Sequence, residues 1–262
     1  MRVIPLLLVA GLASQQLPST TPAHGAFAFS NPAGTEFIVL HDVPSPKRLQ
    51  SAICDGNVRR VAFARQQKGT GADRENPDQF AKLTGSVFRV VSGGAKPDDG
   101  CLLAPESLVA GAQIVRTQNA SRVAPCAAAD QRRVQSLRER RVQTCWSLGT
   151  VQPRGSITAV EWERQDTDAL ASIIIDVDGR AMAIDLSAKF TRAGEDLWRV
   201  DDEGKFGAEG ITIPFLIRRG AAFTIPMRWN GAEGASLSLF VSDETGMTTR
   251  QVLADYWYRA PR

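Results

Sequence analysis

The chain has 262 residues, 43% of them hydrophobic and 23% charged, and 31 basic against 28 acidic residues leave a net charge of +3. That apolar fraction is too high and that charge too low for a disordered chain, and the length suffices for one large domain or two small ones with a substantial core. The charge balance excludes a chain-wide nucleic-acid footprint, and the lack of long apolar runs beyond the N-terminus excludes a multi-span membrane protein.

Arg2 is followed by eleven uncharged, mostly apolar residues, Val3 to Ala13, then by a polar stretch and small residues, Ala23-His24-Gly25 or Ala26-Phe27-Ala28, suited to a signal peptidase. Eleven helical residues reach ~16 Å, about half of a ~30 Å hydrocarbon core. Residues 1–28 therefore read as a secretory signal peptide, leaving a mature chain without a transmembrane anchor in the periplasm or outside the cell.

Residues 29–125 read as a mixed α/β part. Glu36 to Leu40 and Ser86 to Val91 look like short strands. The loops between them are polar, notably Lys68 to Gln79 and Ser92 to Gly100, which cluster Gly, Pro, Asn and Asp. Asn119-Ala120-Ser121 fits a glycosylation sequon, which matters only in a eukaryotic host.

Residues 126–145 read as a basic linking helix. Ala127 to Thr144 lacks Gly and Pro, and Val134, Leu137, Arg138, Arg141, Val142 and Cys145 fall at helical spacing. Arg132, Arg133, Arg138, Arg140 and Arg141 make it the most distinctive local charge feature, a candidate dock for an anionic envelope component or an acidic protein. The competing reading is a solvated helix face. Cys54, Cys101, Cys126 and Cys145 form an even set expected to oxidise after export. An unbroken helix separates its ends by ~25 Å, beyond the ~7 Å reach of a disulfide, so Cys126 and Cys145 are each expected to pair with Cys54 or Cys101. A broken helix would restore the local pair.

From residue 146 to residue 262 the apolar period becomes two. Ala171–Val177 and Arg180–Leu186 flank Asp178-Gly179, a type I′ turn signal that opposes Val177 with Arg180 and Ile173 with Ile184. A second hairpin pairs Ile211–Ile217 with Phe223–Trp229 around a five-residue loop, Arg218 to Ala222, setting Ile217 opposite Phe223 and Pro214 opposite Pro226, both at unpaired or bulged edges. A third pairs Ser236–Asp243 with Thr248–Tyr258, the last segment having a helix as its alternative. The fold class expected is α+β, predominantly antiparallel β, with a β-sandwich-like C-terminal half joined through one basic helix to the mixed N-terminal part.

Motifs for chemistry are sparse. His24 and His41 are the only histidines, which removes a His-rich zinc site and leaves His41 as the one base available to a Ser-His-Asp hydrolase. No G-x-S-x-G or S-x-x-K string occurs, and Gly69-Thr70-Gly71-Ala72-Asp73 reads as loop. Asp176-Val177-Asp178-Gly179 reads as turn chemistry, and Asp201-Asp202-Glu203-Gly204 as a solvated acidic turn with at most weak cation affinity. Tyr256, Trp257 and Tyr258 serve either as an anchor for a last strand or as a binding platform, with the anchor favoured and Trp257 and Tyr258 the platform candidates. No cofactor or metal is expected. The residues favour an exported non-enzymatic binding or structural module of the envelope over a carboxylate-dependent glycan hydrolase.

Overall fold

A computed structural model describes residues 24–92, 100–189, 198, 206–243, 245 and 248–259. Most of the leader, the acidic turn at 201–204 and most of the loop at 92–100 lie outside the described residues. The chain folds as two antiparallel β bodies that share one apolar interface.

The N-terminal body is a closed barrel. Its strands are β1 (Ala26–Ser30), β2 (Glu36–Val39), β3 (Leu49–Cys54), β4 (Asn57–Gln67), β5 (Gly85–Ser92) and β6 (Cys101–Pro105), in spatial order β1-β2-β5-β4-β3-β6. The expected mixed α/β character is corrected here, although both short strands foreseen by sequence exist as β2 and β5. β4 escaped because its exposed positions carry Arg60, Ala62 and Arg65, so the strand reads as polar unless the alternating Val61 is weighted. All five residues of β1 are buried. Ala26 and Ala28 face the barrel interior with Phe37, Ala52 and Leu103, while Phe27 and Phe29 face outward into the second body.

A one-turn helix α1 (Glu106–Val109) leads to β7 (Gln113–Pro125), the long strand that organises the second body. The rest are β8 (Val142–Val151), β9 (Gly155–Trp162), β10 (Asp168–Val177), β11 (Arg180–Lys189), β12 (Ile211–Thr212), β13 (Phe215–Arg219), β14 (Ala222–Asn230), β15 (Gly234–Ser242) and β16 (Thr249–Tyr258). Their order, β11-β10-β9-β8-β7-β13-β14-β15-β16 with β12 beside β14, describes one continuous sheet. It curls, barrel-like, until its end strands touch at the bridge Ala183–Thr248, where the Thr249 hydroxyl donates to the Ala183 carbonyl (2.8 Å). Ile173, Ile175, Met182, Ile184, Ile225 and Phe240 fill the interior of that curl. Predominantly antiparallel β is thus the architecture, and no helix among the described residues is long and apolar enough to cross a membrane.

The first hairpin has the register set by its turn, with Val177 opposite Arg180 and Ile173 opposite Ile184. Asp178 (φ 54°) and Gly179 (φ 84°) both take positive φ, as a type I′ turn requires. The second hairpin needs correction. Ile211 opposes Trp229 as expected, but Ile217 opposes Thr224, because Gly220 (φ 59°) makes a two-residue turn that opposes Arg219 with Ala222. The one-residue difference is absorbed at Ile213-Pro214, where the ladder breaks. There Ile213 donates its N–H to the Asn119 side chain (3.1 Å) and its carbonyl accepts from Thr117, so both backbone groups of Ile213 are satisfied by side chains. Pro226 is an interior strand residue paired with Leu239. The third hairpin is present as β15 and β16, its last segment a strand.

The basic helix is shorter than expected. α2 covers only Ala128–Gln135. Gln135 ends it by donating from its amide to the Arg138 and Arg140 carbonyls (3.3 and 3.0 Å) and accepting from the Val142 N–H (2.9 Å), which turns the chain back as β8. β8 then runs antiparallel to β7, and Cys126 donates its N–H to the Cys145 carbonyl (3.0 Å). The disulfides are accordingly Cys54–Cys101 and Cys126–Cys145, which overturns the expected cross-pairing. Each spans neighbouring strands of one body.

Two outcomes follow for the chain termini and the thiols. Non-reducing peptide mapping is expected to return those two pairs, and chain-entropy arguments assign about 4 kcal/mol to the first and about 3 kcal/mol to the second. A chain starting at Phe29 lacks three of the five β1 residues and is expected not to give a cooperative melt, whereas one starting at His24 melts like the full-length fold. Circular dichroism during heating distinguishes them.

Candidate functional site

The surface where β11 meets β16 brings charged, neutral polar and apolar side chains together. A cleft of about 270 Å³ opens there, lined by Arg138, Asp185, Thr248, Thr249 and Gln251, with Ala183 and Phe240 as its apolar wall. It exists because, among the described residues, the curled sheet closes at one bridge, so the two edge strands leave a gap between them. Arg138 arrives from the turn after α2 and Asp185 from β11, and Nη2 of Arg138 donates to both carboxylate oxygens (2.6 and 2.5 Å). The Arg138 guanidinium also lies over the Trp162 ring, 5.6 Å from its centroid. Trp162 donates to the buried Ser172 hydroxyl (2.8 Å), which donates to Asp185 (2.7 Å). This chain of contacts fixes Asp185 as an acceptor held by two donors.

Arg133 is spent in the same way. It donates to the Asp176 carboxylate and to Ser156 (2.8 Å), while Asp176 also accepts from the Gly179 N–H (3.0 Å) and so stiffens the hairpin turn. Arg140 donates to the backbone carbonyls of Glu163 and Asp168 (2.5 and 2.6 Å). Of the five arginines foreseen as a docking face, the three with these contacts tie α2 and its following turn onto the sheet. Arg132 and Arg141 are the exposed members. Asp176 and Asp185 likewise serve as ion-pair partners, each with its own arginine.

The terminal aromatics divide. Trp257 is buried and packs edge-on against Phe29 at 5.1 Å, so it anchors β16 to the barrel. Tyr256 and Tyr258 are exposed, and the Tyr258 backbone exchanges hydrogen bonds with Glu75: its N–H donates to the carboxylate (2.8 Å) and its carbonyl accepts from the Glu75 N–H (3.0 Å). Burial pushes the Glu75 carboxyl up, the Tyr258 N–H pulls it down, and nearby Asp255 raises it. His41 faces Asp255 at 3.6 Å, and Asp255 also accepts from the Trp257 ring N–H (3.2 Å).

One grouping had no signal in the sequence. Trp146, Trp198 and Trp229 each pack on Phe206, with ring centroids 5.3 to 5.8 Å apart. Glu161 lies on the same sheet face as Trp146, since Thr144 pairs with Glu161 and Trp146 with Ala159. Burial raises the Glu161 carboxyl above the ordinary glutamate value, against a smaller opposing pull from Arg164. Spacing along the chain could not have shown this, because the members come from four separated segments.

Comparison of the chain with family models, with curated proteins and with solved structures finds no match to any of them.

Removing Arg133 leaves the buried Asp176 charge without its partner. Arg133→Met is therefore expected to cost about 2 kcal/mol in chemical denaturation, while Arg132→Glu and Arg141→Glu change stability by less than ~0.5 kcal/mol. The folded state holds the Glu161 proton to higher pH than the unfolded chain does. Its contribution is complete below the ordinary glutamate value and is lost as pH rises through the folded value. Glu161→Gln should flatten that decline in a Tm series from about pH 4 to about pH 8.

Proposed function

We propose that the chain is an exported, non-enzymatic binding module of the cell envelope that seats part of a neutral polar chain, of the kind glycans provide, in the seam cleft. The carrying observation is the state of the cleft's charges: Arg138 and Asp185 neutralise each other, and the remaining polar lining, Thr248, Thr249 and Gln251, is neutral, its hydroxyl and amide donors engaged with Asp243, Ala183 and Ser238 so that its oxygens are left to accept. Such a lining recognises hydroxyls and amides by hydrogen bonding and has no carboxyl poised for proton transfer. The cleft lies just under the ~300 Å³ at which small-molecule sites begin, so it grips one unit of a ligand and does not engulf it. Export is supported by the leader's charge-apolar-small order and by two disulfides that use all four cysteines, a chemistry that persists in oxidising compartments.

A second reading has an observation of its own. Glu161, raised by burial and beside Trp146, resembles the acid of a glycan hydrolase next to an aromatic shelf. Glycosidases need a second carboxyl within about 5–10 Å, however, and the other raised carboxyl among the described residues, Glu75, is engaged with the backbone of Tyr258.

Retention on immobilised neutral oligosaccharides, with product analysis of the eluate, separates the readings. The binding module retains sugar, leaves it intact, and loses affinity about tenfold or more in a Thr249→Val, Gln251→Leu double variant, with Glu161→Gln unaffected. Release of new reducing ends by the wild type but not by Glu161→Gln would establish the hydrolase instead.

A further inference from the structure

Among the described residues of the barrel, none accepts a hydrogen bond from Nε or Nη2 of the buried Arg59. Arg59 lies on the inward face of β4, two residues before Val61 of the barrel core, and is only 3% exposed. Across the ladder it faces Ala52, which in turn pairs with Leu103, so its level of the barrel is lined by small and apolar groups. Its Nε and Nη2 are both buried and both without a hydrogen-bond partner. Two buried guanidinium nitrogens with no acceptor lose their hydration without replacement, a far larger loss than a surface arginine suffers. The contrast with Arg65 on the same strand is direct, since its guanidinium donates through both terminal nitrogens to the Glu36 carboxylate (2.6 and 3.1 Å).

The identity of the two orphaned atoms specifies what is missing. In a planar guanidinium the Nε–H and one N–H of Nη2 point the same way and form the side-on fork, whose spacing matches two oxygens on a single carbon or phosphorus. One unsatisfied nitrogen would call for water or a carbonyl. Two on one fork call for a bidentate oxyanion. Arg59 sits two residues from Asn57, where β4 begins after the Asp55-Gly56 turn, at the end of the barrel that carries the Cys54–Cys101 disulfide. Ser30, the buried last residue of β1, lies at that same end, two residues beyond Ala28, which pairs with Cys101.

We propose that this end of the barrel is a binding site for a carboxylate or phosphate group, gripped side-on by Arg59. The site is separate from the seam cleft and independent of the glycan reading.

The test is a titration of the wild-type protein with sodium phosphate and, separately, with sodium acetate, following arginine Nε–H resonances by NMR and the melting temperature. Sodium chloride at matched ionic strength is the control. The expected result is a saturable shift of one Nε–H resonance together with a Tm rise that saturates over the same concentrations. Response to phosphate alone assigns a phosphoryl ligand, and response to acetate a carboxylate. Arg59→Lys keeps the charge and removes the fork, so it should abolish the shifted resonance and weaken binding about tenfold or more. If that variant does not fold, the wild-type titration still decides. Resonances and Tm that follow phosphate and acetate no further than they follow chloride would overturn the proposal.

Discussion

Trp257 against Phe29 stands at the centre of the constraint on which the whole arrangement depends: two β bodies bury one shared apolar face. Phe27, Phe29, Ile38 and Leu102 point out of the barrel, and Phe215, Ile217, Leu237, Leu239 and Trp257 point down from the curled sheet to meet them. Each large aromatic removes ~200 Å² from water, worth ~5 kcal/mol at ~25 cal/mol/Å², whereas an exposed ion pair such as Lys189–Asp168 is worth ~0.5 kcal/mol. Apolar burial therefore sets how the bodies sit, and the charges decorate the result. It also explains β1, which alternates between two cores and has no solvent face.

The outer face of the sheet follows a different logic. α2 covers it with Val134, which packs with Trp162, Val160 and Ile174. The polar groups stranded at that contact, Asp176, Ser172 and Asp185, are each met by a donor from α2, its following turn or Trp162. A helix of eight residues has too few contacts to hold itself in place, so the two arginine–aspartate pairs and the Cys126–Cys145 bond act together as its fastenings. The seam cleft is a by-product of this packing: Arg138, drawn over Trp162, forms one wall of the gap that the incomplete curl leaves open.

Hairpins were legible where local chemistry specified everything. Asp178-Gly179 dictates its turn, the turn dictates register, and the apolar positions agree. The second hairpin was half legible, because the choice between a two- and a five-residue loop rests on one glycine, and Pro214 lets the ladder absorb either register. The basic segment misled because Val142, Thr144 and Trp146 alternate as a strand while sharing enough spacing with a helix to be counted in one. What stops the helix is Gln135 folding back on the next turn, a contact with no sequence signature. The sites were less legible still. Arg138 was visible as a basic residue but its pairing with Asp185 joins segments 47 positions apart, and nothing in the strand pattern distinguishes Arg59, buried and unmet, from its exposed neighbour Arg60.

If the shared apolar face makes one cooperative unit of the two bodies, differential scanning calorimetry decides it. The account predicts a single transition whose calorimetric and van't Hoff enthalpies agree, split into two by Trp257→Ala. Two separate transitions in the wild type, both unmoved by Trp257→Ala, would contradict it.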